Sequence, residues 1–357
     1  MIIGTTAKMT ASARGILQHT LKVKPGERVY VTHDAPRAAV GAAFISAAKD
    51  LGHEVRSFDL GERRFEDGGI DNLLASVSEG GPYVFVNTFT SGVTREGKPE
   101  TPFRIQLLSY QIGRKLAEKM KDIPRHLIPI GQQSRVMHSP GITDEALQWD
   151  VDYGIMAQRM AVLNEAYQGA KAVKIETQRG TSLMLGIGNR PLHCELTIEK
   201  PGTFGNWPPG EAYFAPLEDS ANGIAIVDGT IGDFGVPAAP IRFGFRNGVI
   251  KNIEYLGQSR TDLFLTRLLD AIWQKDDPQA AVIGELGIGV ADFPQTGEML
   301  FDEKIYGTVH FAAGGNEEFG GVNTSQTHRD HLMWHPTLTL IDADGSSRVV
   351  MRDGKIV

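Results

Sequence analysis

Residues 28–60 have the sequence RVYVTHDAPRAAVGAAFISAAKDLGHEVRSFDL, which decides the fold of the first half of the chain. Residues 28–34 are typical of a buried strand and residues 53–60 of a second one. Between them, residues 36–52 are typical of a helix, with a proline in the first turn and a glycine at the end. A strand, a helix and a strand in succession predict a parallel sheet with helices packed on it.

The same alternation continues toward the middle of the chain. Apolar runs at 83–89 and 126–131 predict further short strands, and residues 104–121 predict a helix between them. Residues 144–167 have apolar side chains at spacings of three and four, which predicts a long helix. We therefore expect an α/β domain with a parallel sheet over residues 1–168.

The second half of the chain has a different pattern. From about residue 171, short strand-like segments are joined by Asn-Gly and Asp-Gly dipeptides. These dipeptides favour tight turns between antiparallel strands. One helix is predicted near residues 261–275. The pattern predicts a β-rich α+β domain over residues 169–357, and this domain contains the candidate metal site.

The composition of the chain excludes several classes of protein. It has 36 basic and 43 acidic side chains among 357 residues, a net charge of −7, and no long basic run, so we expect no nucleic-acid partner. No apolar run approaches the ~20 residues that cross a bilayer, and the N-terminus lacks the features of a signal peptide. We therefore expect a cytoplasmic protein without membrane association. Cys194 is the only cysteine, which excludes an internal disulfide, and we expect it to be a small buried residue.

Four segments of the second half place carboxylates and imidazoles where strands and turns usually have apolar or small residues. Glu211 follows a rigid turn and precedes a strand-like stretch. Glu285 lies between glycines and aliphatic residues, where a charge is costly to bury unless it is paired or bound to metal. The four segments are GNWPPGEAYFAPLEDSANG (205–223), IGELGIGVADF (283–293), FDEKIYGTVHFAAGGNEEFGG (301–321) and NTSQTHRDHLMWHP (323–336).

Histidines in the last two segments complete the candidate set. His310 lies in an apolar stretch flanked by glycines, and it is either a core histidine or a metal ligand. If the last segment is extended, His328 and Asp330 project from one face and could chelate a divalent cation, the alternative being a solvated polar run. We expect His331 to lie on the opposite face and, with His335, to be structural.

The donor types predict the kind of metal. Oxygen and nitrogen donors without thiolates are typical of a site for Zn, Co, Mn, Mg or Fe. The set has more donors than a single zinc ion needs, so two bridged metal ions are expected.

In order and spacing, these motifs resemble the thermophilic-type metallo-aminopeptidases, the family of aminopeptidase T and aminopeptidase S. The resemblance covers about residues 205–335 and implies a homodimer. It adds Glu303, either as a ligand or as a residue of a loop salt bridge. Where that family has a tyrosine after the HFAAG motif, this sequence has Glu317. The metal ligands that the resemblance implies are Glu211, Glu285, His310, His328 and Asp330.

A second family is similar in the same segments, the non-haem iron 2,5-dihydroxypyridine dioxygenases. That resemblance implies that His310, His328 and Asp330 bind one Fe(II), with open positions for O₂ and substrate. A third alternative is a relative of the same fold that has lost peptidase activity and binds a small molecule. Glu211 and Glu285 exceed what the iron site needs, and this favours hydrolysis over ring cleavage.

The leading interpretation is therefore a metallo-aminopeptidase, a hydrolase that removes N-terminal residues from peptides. The resemblance implies a pair of divalent ions, Zn, Co, Mn or Mg, which would lower the pKa of a bound water. Glu285 is expected to shuttle the proton, with Glu211 as its substitute.

Overall fold

The structure is a computed structural model that describes residues 2–33, 35–59, 83–88, 135–139, 142–200, 204–258 and 263–357. Among these residues the chain forms two compact units. The first contains the residues up to Asp150 together with Glu195–Pro209, and the second contains Val151–Cys194 and Gly210–Val357. This division differs from the predicted boundary at residue 168. The predicted helix at 104–121 and strand at 126–131 lie outside the described residues.

The described elements are numbered in chain order. The helices are α1 Ile2–His19, α2 Ala38–Asp50, α3 Tyr153–Tyr167, α4 Leu263–Ile272 and α5 Met299–Asp302. The strands are β1 Arg28–His33, β2 Val55–Asp59, β3 Tyr83–Thr88, β4 Arg135–His138, β5 Ala170–Glu176, β6 Ser182–Gly186, β7 His193–Glu195, β8 Phe204–Asn206, β9 Glu211–Phe214, β10 Asn222–Val227, β11 Ile241–Arg246, β12 Val249–Tyr255, β13 Ile283–Gly289, β14 Thr308–Gly314, β15 His328–Trp334, β16 Thr337–Asp342, β17 Ser347–Arg352 and β18 Lys355–Ile356.

The first unit contains a five-stranded sheet in the order β2-β1-β3-β4-β8, whose pairings are parallel. The small residues of α2 allow the helix to approach β1 closely, because a Cβ on Gly41 would lie 2.4 Å from the ring of His33. Helix α1 at the N-terminus was not predicted. No helix among the described residues is both long and apolar enough to cross a membrane.

The second unit contains two sheets, which confirms the β-rich α+β architecture. The larger has eight strands in the order β12-β11-β10-β6-β5-β16-β17-β18, all paired antiparallel. The smaller, called here the site sheet, has the order β15-β14-β13-β9-β7. Asn247-Gly248 joins β11 to β12 with both residues at positive φ, as a tight hairpin turn requires.

Aromatic rings from the two sheets form the centre of this core. Phe243 and Phe245 of the eight-stranded sheet contact Phe311 of the site sheet edge to face, with centroids 5.4 and 5.1 Å apart. The inner face of the site sheet is therefore apolar, and polar residues of β14 and β15 are left for the opposite face.

Helix α3 is shorter than predicted. It begins at Tyr153 rather than at residue 144, because the side chain of Asp152 accepts a hydrogen bond from the Ile155 N–H at 3.0 Å and caps the first turn. The preceding residues form a single 3₁₀ turn at Ala146–Gln148.

Candidate metal centre

The candidate ligands lie on one face of the site sheet because of its strand register. Directly opposite residues of paired strands share a face. Gly287 of β13 lies opposite His310 of β14, and Gly289 lies opposite Glu211 of β9. Asp330 of β15 lies opposite Ala312, and His328 lies opposite Gly314. Polar side chains therefore converge over a floor of glycine and alanine.

Glu285 reaches this face through a β-bulge. Ile283 pairs with Ala313 on the apolar face, so simple alternation would place residue 285 on that face as well. The register shifts by one residue between Ile283 and Glu285, and Glu285 then lies opposite Ala312 on the ligand face. A bulge of this kind redirects a side chain without breaking the sheet.

Gly287 makes room for the ring of His310. A Cβ at Gly287 would lie 2.2 Å from Cε1 and 2.3 Å from Nε2 of His310. The imidazole therefore lies directly over the backbone of the neighbouring strand, a position that any larger residue at 287 would obstruct.

Two imidazoles and two carboxylates form the centre of the cluster. Nε2 of His310 lies 3.2 Å from Oε1 of Glu285, and Nε2 of His328 lies 3.2 Å from the other oxygen, Oε2. Oδ1 of Asp330 lies 3.4 Å from Nε2 of His328 and 4.0 Å from Nε2 of His310. His328 is the most exposed of the four, at 31% of its side chain, so solvent reaches the cluster from its side.

A second carboxylate pair lies beside His310. Oε2 of Glu211 is 3.7 Å from Nε2 of His310. Glu303, at the C-terminus of α5, belongs to the same group of donors, and both carboxylates contact the buried ammonium of Lys304. Lys304 was not predicted from the sequence. Its only signal was its place directly after Glu303, and a sequence does not show that such a lysine is buried.

Neighbouring charges shift the pKa of an imidazole and the pKa of a carboxylate of the cluster in opposite directions. Burial acts to lower the pKa of His310, but the hydrogen bond with Glu285 and the charges of Asp330 and Glu211 outweigh it and raise this pKa to about 9. Burial would raise the pKa of Asp330, yet the charge of His328 lowers it below its usual range. In the absence of a cation the imidazole of His310 thus holds a proton, which a metal ion would replace.

The donor set fits a divalent metal. Oε2 of Glu211 and Oδ1 of Asp330 are buried and have no hydrogen-bond partner within the described ranges. Nδ1 of His328 lies 2.7 Å from the carbonyl oxygen of Gly315. When Nδ1 of His328 donates to the Gly315 carbonyl, the lone pair of Nε2 points toward carboxylate oxygens. Because a lone pair and a carboxylate repel each other, a proton or a metal ion must lie between them.

The remaining histidines of the last segment are not in the cluster. His331 lies on the opposite face of β15, stacked on Phe311 with centroids 4.5 Å apart. Burial and the nearby charge of Arg329 lower its pKa to about 3, so it is neutral in the core. His335 is exposed at the end of the strand. Both placements agree with the structural roles expected from the sequence.

The exposure of two other residues singled out in the sequence, Cys194 and Glu317, is also resolved by the structure. Cys194 is exposed, so the expectation of a small buried residue is wrong. Its strand, β7, is the last strand of the site sheet, and one of its flanks has no neighbouring strand among the described residues. Glu317, at the position where the aminopeptidase resemblance implies a tyrosine, is exposed in the 3₁₀ turn Glu317–Phe319.

Aromatic rings line the exposed side of the cluster. The ring of Phe319 contacts His328 edge to face, with centroids 5.8 Å apart. Tyr213, two residues from Glu211 on the same face of β9, contacts Phe319 at 5.5 Å and stacks on His193 at 5.2 Å. The partly exposed rings provide an aromatic wall, formed by His193, Tyr213 and Phe319, next to a candidate ligand.

Glu218 holds the loop that leads to His328. Its carboxylate accepts two hydrogen bonds from Arg190, at 2.9 and 2.6 Å, one from the Val322 N–H and one from the side chain of Asn316. Burial acts against the charged form, but these donors outweigh it and lower the pKa of Glu218 to about 2. The ion pair thus ties the loop to the body of the unit.

We expect Glu218→Gln to lower the free energy of unfolding by about 2 kcal/mol at neutral pH, since charge-assisted hydrogen bonds are lost. The pKa is lower in the folded chain than the ordinary 4.5. The stabilisation is therefore complete above about pH 4.5 and is lost as the pH falls toward 2. Urea unfolding at several pH values measures this, and an equal difference between the two proteins at pH 7 and pH 3 would contradict it.

Comparison with known proteins relates the second unit to one family. The model of the 2,5-dihydroxypyridine 5,6-dioxygenase (NicX) family matches residues 143–357. A relative with that name from Pseudomonas putida KT2440 is 23% identical over 193 residues, which are 48% of this chain and 52% of the relative. The chain thus matches about half the length of this curated relative.

Two solved structures share the fold. The structure of 2,5-dihydroxypyridine dioxygenase from Pseudomonas putida KT2440 superposes with a TM-score of 0.71 and 18% identity, covering 99% of this chain and 97% of that one. Wild-type AmpT from Thermus thermophilus superposes with a TM-score of 0.66 and 16% identity, covering 98% and 99%. At these identities the likeness concerns the fold alone.

The comparisons correct the leading interpretation of the sequence. The matching family and the curated relative are named as dioxygenases, which are oxidoreductases, so the assignment as a hydrolase, an aminopeptidase or a protease is wrong. The preference for hydrolysis depended on Glu211 and Glu285, whose partners in the structure are Lys304 and the two imidazoles. The first of the two resemblances extends to the fold alone, and the second extends to the family. With more than half of its length matched, the chain belongs to the 2,5-dihydroxypyridine 5,6-dioxygenase family.

Proposed function

We propose that this protein is a metal-dependent dioxygenase that opens the ring of a dihydroxypyridine. The observation that supports it most is the convergence of His310, His328 and Asp330 on one face of the site sheet, with Oδ1 of Asp330 buried and unsatisfied among the described residues. Two imidazoles and one carboxylate are the donor set of non-haem Fe(II) oxygenases. We infer that these three residues would hold one Fe(II).

When bound, Fe(II) would supply the one-electron chemistry that allows O₂ to react with a closed-shell aromatic compound. The chain itself would position and orient the reactants. Glu285 contacts Nε2 of both imidazoles with its two oxygens, so it fixes the separation of the rings. The carbonyl of Gly315 fixes the tautomer of His328.

A hydroxypyridine must lose a hydroxyl proton as its ring is oxidised, and we assign this proton to Glu211. Burial raises the pKa of Glu211, and its Oε2 faces the cluster without a hydrogen-bond partner among the described residues. Glu285, expected from the sequence to shuttle a proton, has both oxygens against imidazoles. A carboxyl with a raised pKa is the better group to take and return a proton near neutral pH.

The aromatic wall supports a flat, heteroaromatic substrate. His193, Tyr213 and Phe319 present partly exposed rings in contact with one another, and the ring of Phe319 contacts His328. Ring stacking and edge contacts there would favour an aromatic substrate over an aliphatic one.

The test is oxygen consumption by the iron-loaded protein. We expect the protein, loaded with Fe(II) under anaerobic conditions, to consume O₂ in an equimolar ratio with 2,5-dihydroxypyridine while the ring absorbance disappears. Uptake of both atoms of ¹⁸O₂ into the product identifies a dioxygenase. The control substrate is 3-hydroxypyridine, which lacks the second hydroxyl. A protein that binds Fe(II) and leaves dihydroxypyridines unchanged in air would refute the proposal.

A further inference from the structure

The donors of the cluster divide into two groups. One group is Glu211, Glu303 and His310, and the other is Glu285, His328 and Asp330; in each, the ligand atoms lie within 4.8 Å of one another. Judged by these donors alone, each group has enough ligands for a cation. The donor types in the sequence accordingly predict two bridged metal ions.

Lys304 distinguishes the two groups. Its side chain is fully buried, and Nζ lies 2.5 Å from Oε1 of Glu211 and 2.7 Å from Oε1 of Glu303. In the second group, Glu285 and Asp330 contact imidazoles instead. The first group is therefore already paired with a lysine ammonium, whereas the carboxylates of the second group contact imidazoles, whose nitrogens can bind a metal ion.

The backbone holds Lys304 in this place. Its carbonyl oxygen accepts a hydrogen bond from the Ala291 N–H at 2.8 Å, and its own N–H donates to the carbonyl of Phe301 at 3.3 Å. A buried ammonium that left both carboxylates would lose its compensating charges, which is strongly unfavourable. The lysine is thus a built-in part of the cluster.

We propose that the ammonium of Lys304 takes the place of a second metal ion, so that the chain binds one metal ion, at His310, His328 and Asp330. A metal held by Glu211 and Glu303 would lie about 2.0–2.2 Å from oxygens of both carboxylates, the same groups that contact Nζ. At such short distances in a buried site, a divalent cation and an ammonium repel each other strongly. The position between Glu211 and Glu303 can therefore hold an ammonium or a metal ion, but not both at once.

This inference deepens the proposed function, on which it rests, because a centre of two imidazoles and one carboxylate holds a single metal. It also accounts for the four carboxylates of the cluster. Glu211 and Glu303 pair with Lys304, and Glu285 contacts both imidazoles with its two oxygens. Asp330 is then the carboxylate that we assign to the metal.

Metal counting with Mn(II) tests the inference without turnover. We expect the full-length wild-type protein, saturated with Mn(II), to bind about one equivalent and to give the six-line electron paramagnetic resonance spectrum of an isolated ion. In Lys304→Met, which keeps a long unbranched side chain and removes the charge, we expect about two equivalents and an exchange-coupled spectrum. Lys171→Met, the same change at an exposed lysine, is expected to stay at about one equivalent.

Two equivalents in the wild-type protein would overturn the inference, and so would a folded Lys304→Met variant that still binds one. If that variant does not fold, Glu303→Gln provides the second test. It leaves Lys304 paired with Glu211 and is expected to keep the single bound ion, whereas loss of the ion would place Glu303 among the ligands and contradict the proposal. Because the count needs no substrate, a protein with one metal and no ring-opening activity would refute the proposed function and leave this inference standing.

Discussion

Asp330→Asn is expected to abolish ring opening. Asp330 lies within 3.4 Å of Nε2 of His328 and 4.0 Å of Nε2 of His310, and its buried Oδ1 has no hydrogen-bond partner in the described part of the chain. The change removes the charge that would balance a metal and leaves the shape almost unaltered. Mutation of a residue that only hydrogen-bonds a metal ligand lowers metal affinity or activity about 10–100-fold. Because Asp330 would itself be a ligand, we expect both metal affinity and turnover to fall by more than about 100-fold.

The matched control for this variant is Asp353→Asn. Asp353 is exposed, and its backbone has a φ of 46°, a conformation that asparagine also adopts readily. Steady-state O₂ consumption and Mn(II) titration of the two variants separate a ligand from a general effect of the substitution. If Asp330→Asn binds metal with wild-type affinity, Asp330 is not a ligand, and the assignment of a site with two imidazoles and one carboxylate is wrong.

The part of the site that follows from local periodicity was predictable from the sequence. His328 and Asp330 are two residues apart on a strand, so they had to share a face, and His331 had to lie on the other. The Asn-Gly turn at 247–248 likewise determined a hairpin. These features depend on neighbours in the chain, which a sequence shows directly.

Features that depend on distant neighbours were not predictable in this way. Alternation along β13 would place Glu285 with Ile283 on the apolar face, and only the bulge in its pairing with β14 redirects it. Lys304 is 93 residues from Glu211 in the sequence, so its neutralising role was invisible. The number of carboxylates alone suggests that the cluster needs two metal ions to balance its charge, because the sequence does not show that Lys304 neutralises part of it. Hydrolysis by a pair of metal ions is favoured from the sequence for this reason.

Gly287→Ala is expected to damage the centre without removing a single donor. The added Cβ would lie 2.2 Å from Cε1 and 2.3 Å from Nε2 of His310, whose side chain is buried at 1% exposure. Overpacking of a core costs about 1–3 kcal/mol of stability, which a folded domain can tolerate. A misplacement of about 1 Å at a reacting centre costs about 100-fold in rate, so turnover is expected to fall much further than stability.

Gly15→Ala is the control, because its added methyl meets no atom within 4 Å and its backbone has no positive φ. Thermal unfolding, Mn(II) affinity and O₂ consumption are measured for both variants. Weakened metal binding in Gly287→Ala with a folded chain, and no change in Gly15→Ala, supports a ligand role for His310, because the methyl displaces its Nε2 and leaves every donor in the sequence. Unchanged metal affinity would show that His310 only packs beside the centre, and the metal would then have to be held by Glu285, His328 and Asp330.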